Sequence, residues 1–207
     1  MITWIAESSS LGAISSTDRV ALIGDSLAVG LAGPLKTEIQ VPFEGVAKGG
    51  TDIRAWLSGQ MASALNNVLA AKPTIVLISL GTNDTAPASQ PNAETIKSRV
   101  AALVDKVRVA GSTPVWLLPG PLPWSTDALL SSIAATGVRT IAQPQVSKPD
   151  KIHPSGEGYK TWAKAIAEDL QSSPSSTGLT RRGGILGGAL VIAAAVGLLW
   201  ATLRVGR

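Results

Sequence analysis

A single histidine, His153, stands in the string Asp150-Lys151-Ile152-His153. Asp150 and His153 are three residues apart, just before Pro154. In a tight turn that spacing lets a carboxylate reach one imidazole nitrogen and leaves the other facing outward. Three further strings precede it: Gly24-Asp25-Ser26-Leu27, Gly49-Gly50-Thr51 and Gly81-Thr82-Asn83-Asp84, each placed after a run that reads as a strand. Ser26 offers a hydroxyl and a backbone N–H, the glycines offer unobstructed backbone N–H groups, and Asn83 offers a side-chain amide. A nucleophile, a base with its orienting carboxylate, and donors for a developing oxyanion are what acyl transfer requires.

Each string has a plainer explanation when taken alone. Ser26 has the type and place of a helix N-cap, the glycines suit a turn, Asn83 suits a turn or cap, and a lone histidine is more often structural. Their occurrence together, in order and each beyond a strand, favours one shared site.

These residues must be held by the elements around them. Apolar runs at Arg19–Ile23, Thr74–Leu80 and Pro114–Leu118 read as strands, with a further strand inside Glu38–Ala47 and a weak one at Val138–Ala142. Helical spacing follows Leu27, with Leu31 and Leu35 on one face, until Gly33-Pro34 is expected to disturb it. One helical period joins Ile53, Trp56, Leu57, Ala64, Leu65 and Val68. Another carries Ile96, Val100, Leu103, Val104 and Val107. A short helix is expected near Asp127–Ala135. A last one is expected from Pro154, with Tyr159, Trp162, Ala163, Ile166 and Leu170 on one stripe. Strands alternating with helices imply a parallel sheet covered on both faces, a three-layer α/β/α sandwich. In such sheets ligands bind beyond the carboxyl ends of the strands, which is where the Ser26, Gly49 and Asn83 strings fall.

The four strings also resemble the sequence blocks of the SGNH (GDSL) hydrolases, over about residues 18–170. That resemblance implies a flavodoxin-like fold with a five-stranded parallel sheet. It implies Ser26 as nucleophile, His153 as base and Asp150 as the group orienting it. The oxyanion donors would be the Ser26 N–H, the Asn83 side chain and the N–H of Gly49, with Gly50 as the alternative glycine. It implies no metal and no organic cofactor. The substrate would be an acyl ester: a short acyl ester, a lipid, a thioester or an acetylated sugar. Short loops favour small acyl groups such as O-acetyl on an envelope polysaccharide.

Composition narrows the classes. There are no cysteines, which excludes disulfides and thiolate metal sites, and one histidine excludes a multi-histidine zinc site. The net charge of +4 comes from Arg181, Arg182, Arg204 and Arg207, because charges cancel over residues 1–170. No nucleic-acid-binding face is therefore expected on the globular part.

The C-terminal stretch 183–203 has no charged residue and is long enough to cross a hydrocarbon core of about 30 Å as a helix. Arginines bracket it, Trp200 lies near one end and a Ser-rich linker precedes it. The expected organisation is an arm at 1–17, a hydrolase domain at 18–171, a linker at 172–182, a transmembrane helix at 183–203 and a basic tail at 204–207. The N-terminus shows no basic, apolar secretory pattern, so a single-pass tail anchor is expected. Flanking arginines tie in number, leaving orientation open, and a viral membrane is among the settings the pattern fits. Gly183, Gly187, Gly184, Gly188, Ala189, Ala193, Gly197 and Ala201 form a small-residue row. Such a row either packs two spans into a homo-oligomer or reflects the ordinary composition of membrane helices. A membrane-anchored structural or binding protein on an inactive hydrolase scaffold, such as a component of a membrane-containing virus particle, is the alternative to an esterase.

Overall fold

The computed structural model describes residues 13–89 and 91–172. Five parallel strands form one sheet: β1 (Val20–Gly24), β2 (Phe43–Ala47), β3 (Ile75–Ser79), β4 (Thr113–Leu118) and β5 (Arg139–Ala142). Their spatial order is β2-β1-β3-β4-β5. The intervening helices are α1 (Ser26–Glu38), α2 (Ile53–Leu57), α3 (Ala62–Ala70), α4 (Thr82–Thr85), α5 (Ala93–Val109), α6 (Asp127–Ala135) and α7 (Gly156–Gln171).

The three layers follow from strand periodicity. On β1, Val20 and Leu22 point into one core, while Ala21 and Ile23 point into the other. Ile75 and Leu77 alternate with Val76 and Ile78 on β3 in the same way. Leu27, Leu31 and Leu35 of α1 join Trp162, Ile166 and Leu170 of α7 over the first face. Trp56, Leu65, Val100, Leu103 and Leu129 cover the second. Fully burying a side chain of this kind contributes about 1.5–3 kcal/mol, so both faces are strongly held.

Three helical expectations need correction. Helix α1 runs through Pro34 to Glu38. Leu31 and Leu35, one on each side of Pro34, are both fully buried, and that packing outweighs the backbone hydrogen bond the proline cannot make. The single helix expected over residues 53–68 is two helices. Its periodicity is interrupted by Ser58-Gly59-Gln60, where the chain turns back and Met61 N–H donates to Ala55 O at 2.9 Å. Helix α7 begins after Ser155 rather than at Pro154, because the Ser155 hydroxyl caps it by accepting from Gly158 N–H.

Within the residues expected to form an arm, Ile14 N–H donates to Leu170 O at 2.9 Å, and the Ile14 side chain packs on the α1/α7 core. Among the described residues no helix is long and apolar enough to cross a membrane. The expected span at 183–203, its small-residue row and the basic tail lie outside the described residues.

Candidate active site

Strand order decides what meets at the carboxyl edge. Because β1 lies between β2 and β3, the turns after these three strands converge. They carry Asp25-Ser26, Lys48–Thr51 and Gly81–Asp84. Two glycines allow the approach. A β-carbon on Gly24 would collide with the Ser79 carbonyl of β3 and with Ala28. Gly81 has φ +108°, and a side chain there would strike Leu129.

Ser26 is the first residue of α1, so its N–H has no acceptor within the helix. Its hydroxyl lies 2.8 Å from His153 Nε2. His153 Nδ1 lies 2.6 Å from Asp150 Oδ2. The other Asp150 oxygen accepts from the backbone N–H groups of Ile152 at 2.9 Å and His153 at 2.7 Å. Lys151, at φ +67°, makes the sharp turn that allows this wrap. The hydrogen bond from the His153 ring, followed by the two backbone N–H bonds, holds the Asp150 carboxyl well below the usual carboxylate range. An ionised Asp150 only accepts, so Nδ1 carries the proton in neutral His153, and Nε2 accepts from the Ser26 hydroxyl. Such a chain can draw a proton from a serine as its oxygen attacks a carbonyl.

The donors expected for an oxyanion surround this point. A β-carbon built on Gly49 would lie 3.7 Å from the Ser26 β-carbon, whereas one on Gly50 would have nothing within 4 Å. Gly49 is therefore the glycine beside Ser26, and Gly50, at φ +74°, shapes the turn. Lys48 N–H donates to Gly24 O at 3.0 Å and ties this loop to the Ser26 turn. Asn83 Nδ2 donates to Thr51 O at 2.9 Å and contacts Asp25 Oδ2 at 3.3 Å. Two acceptors on one side set the amide flip, with nitrogen rather than oxygen directed at the Asp25 and Thr51 turns.

Sequence reasoning passed over three residues here. Asp25 is fully buried, and its Oδ1 accepts from Leu27 N–H at 2.9 Å as the N-cap of α1. Burial pushes its carboxyl up to about 7, with the nearby Asp84 charge adding to the effect and Leu27 N–H and His153 opposing it. Asp84 is also buried and accepts from Ile53 N–H at 3.0 Å and from Arg99 at 3.3 Å, with Arg99 also 3.5 Å from Asp52. Burial raises the Asp84 carboxyl too. Thr51 accepts from Trp56 Nε1 at 3.1 Å and donates to Lys48 O at 2.8 Å. The signal for Asp25 was its place before a helix start; the signal for Asp84 was a charge adjoining a buried strand.

A polar cavity of roughly 560 Å³ opens beside Asn83, with Gly50, Thr51, Asp52, Arg54 and Gln60 among its lining. Among the described residues no group of His, Cys, Asp and Glu is arranged to hold a metal ion.

No family model matches the sequence, and no curated protein sequence matches it. Solved structures do match. The lipase/acylhydrolase from Enterococcus faecalis aligns with a TM-score of 0.61 at 16% identity, over 75% of this chain and 96% of that one. The acetyl xylan esterase AlAXEase aligns with a TM-score of 0.59 at 14% identity, over 73% of this chain and 98% of that one. A GDSL-like lipase from Bacteroides thetaiotaomicron VPI-5482 aligns with a TM-score of 0.57 at 20% identity, over 76% and 91%. The fold is that of the SGNH/GDSL hydrolases. At these identities the likeness concerns the fold. The alignments span 91–98% of each of these compared structures.

Proposed function

We propose that this protein is a serine esterase in which Ser26 attacks an ester carbonyl, His153 takes the Ser26 proton and Asp150 orients the imidazole. The reading rests on one observation, the hydrogen-bond chain Ser26–His153–Asp150 with distances of 2.8 and 2.6 Å. The tetrahedral oxyanion would be received by the Ser26 N–H, the Gly49 N–H and the Asn83 amide, whose hydrogen on the longer 3.3 Å contact to Asp25 would be shared with it. His153 then returns the proton to the departing alkoxide, an alcohol leaves, and water repeats the sequence to free the acyl group. No metal or organic cofactor enters these steps.

The polar cavity beside Asn83 favours a small acyl group on a polar alcohol, such as an acetylated sugar. Compared structures that include an acetyl xylan esterase support the same choice. The composition of residues 183–203 supports a membrane anchor for the domain. The test is hydrolysis of p-nitrophenyl acetate and of acetylated xylo-oligosaccharides by wild type beside Ser26→Ala. Wild-type turnover that vanishes in Ser26→Ala supports the esterase. Equal rates in both would support the reading as an inactive scaffold that binds or builds.

A further inference from the structure

Among the described residues, Asp25 is the buried ionisable group that touches both the turn carrying Ser26 and the side chain of Asn83. Its two oxygens serve different elements. Oδ1 accepts from Leu27 N–H at 2.9 Å, inside the first turn of α1, and Oδ2 faces Asn83 Nδ2 at 3.3 Å, on α4. Asp25 N–H also donates to Ser79 O of β3 at 3.1 Å, so its backbone is anchored to the strand that leads to Asn83. Capping alone does not call for a buried aspartate. Asparagine and serine cap as well, and a carboxylate with no solvent access costs folding free energy. The second contact gives the carboxylate a reason to be there. Whenever the Asp25 carboxyl is ionised, the amide facing it must present its nitrogen, because its oxygen would meet like charge. Thr51 O imposes the same choice on the same nitrogen from the β2–α2 loop.

We infer that Asp25 is a positioning residue that holds the Asn83 amide in its donor orientation and locks it to the helix turn bearing Ser26. It touches neither substrate nor the reacting atoms in this scheme and acts through Asn83. The kinetic part of the inference rests on the esterase reading; the orientation of Asn83 does not.

Asp25→Asn separates the two roles of the carboxylate. One amide oxygen can still accept from Leu27 N–H, so the cap survives, but an NH₂ group then faces the Asn83 NH₂. Asp25→Ser keeps a capping oxygen and is too short to reach Asn83. Both variants should melt within a few degrees of wild type. Both should lose kcat with little change in KM, a part of the loss of about 10²–10³-fold that follows removal of a whole oxyanion donor. In an Asn83→Ala background, neither substitution should lower kcat further. Wild-type kcat in both variants, or the same fold-loss with and without Asn83, would overturn the inference. An activity-independent readout is hydrogen exchange of the Asn83 side-chain amide, assigned by its disappearance in Asn83→Ala. Slow exchange in wild type that becomes fast in both Asp25 variants supports the positioning role. Unchanged exchange overturns it, even if the chain hydrolyses no ester. Loss of activity in Ser26→Ala, measured alongside, tests the esterase reading separately.

Discussion

His153 Nε2 lies 2.8 Å from the Ser26 hydroxyl, although the two residues are separated by 127 positions in the chain. Helix α7 packs beside α1 through Trp162, Ile166 and Leu170 against Leu27, Leu31 and Leu35, and that shared core carries the His153 turn to the start of α1. The contact therefore depends on the whole α1/α7 face. Replacing Trp162 with alanine should cost about 3–5 kcal/mol, read by denaturant unfolding.

Ser26→Ala and His153→Ala should each lower ester hydrolysis by on the order of 10⁴-fold or more, because the members of such a chain act as a unit. Circular dichroism and melting temperature should stay near wild type, since neither side chain is fully buried. A fluorophosphonate probe should label Ser26 alone, located by peptide mass mapping. Labelling of another serine, with Ser26→Ala still active, would remove Ser26 from the role.

A protonated base cannot accept the Ser26 proton, so acid should reduce the rate. Asp150 should remain ionised throughout that limb, because its hydrogen bonds hold it well below the usual carboxylate range. Asp150→Asn should depress the rate at neutral pH by up to about 10⁴-fold. The check is a kcat/KM profile of both proteins against one substrate.

Folding stability should carry a signature of Asp25. Its carboxyl is raised to about 7 in the folded chain, against an ordinary value of 3.8. Between those values the native state holds a proton that the unfolded chain has released, so stability falls as pH rises from about 4 to about 7 and then levels. Asp25→Asn should flatten that part of the curve and be the more stable protein at pH 8. Urea unfolding at several pH values, with the difference between the two proteins plotted, isolates Asp25 from Asp84, which burial raises in the same direction. A difference that does not change with pH would show that the Asp25 charge is not the source.

Gly81→Ala should be severely destabilising. The position sits at φ +108°, and the new methyl group would strike Leu129 on α6. A positive φ costs an alanine about 1–2 kcal/mol and overpacking adds about 1–3. Gly50→Ala, at φ +74° with open space around it, should show the conformational cost alone. Thermal melts of the two variants make the comparison, and equal losses would mean that the Leu129 contact relaxes freely.

A fragment ending at Ser172 should hydrolyse p-nitrophenyl acetate at the wild-type rate, since all the proposed catalytic groups precede it and belong to one compact unit. Expressed in cells, it should appear in the soluble fraction, while the full chain should sediment with membranes and be released by detergent. A full chain found wholly in the soluble fraction would dispose of the proposed anchor.

Local pattern accounts for much of this molecule. Unbroken apolar runs such as Ile75–Ser79 marked strands buried on both faces, and the spacing of Ile96, Val100, Leu103 and Val107 marked the α5 face, because burial imposes those periods on the chain. The expected Asp127–Ala135 helix has those bounds. Ser26, Gly49, Asn83, Asp150 and His153 could be singled out as candidates because their strings occur together and in order, although each alone also suits a cap or a turn. Tertiary packing decided the rest. Whether Pro34 ends a helix depends on the burial of Leu31 and Leu35, which its own neighbours in sequence do not report. Which glycine lies beside Ser26 depends on the backbone path of the β2–α2 loop. The burial of Asp25 against Asn83 arises because β1 lies beside β3. A carboxylate becomes unusual only when packing removes its water and brings a partner to it through space, and neither event leaves a mark on spacing along the chain.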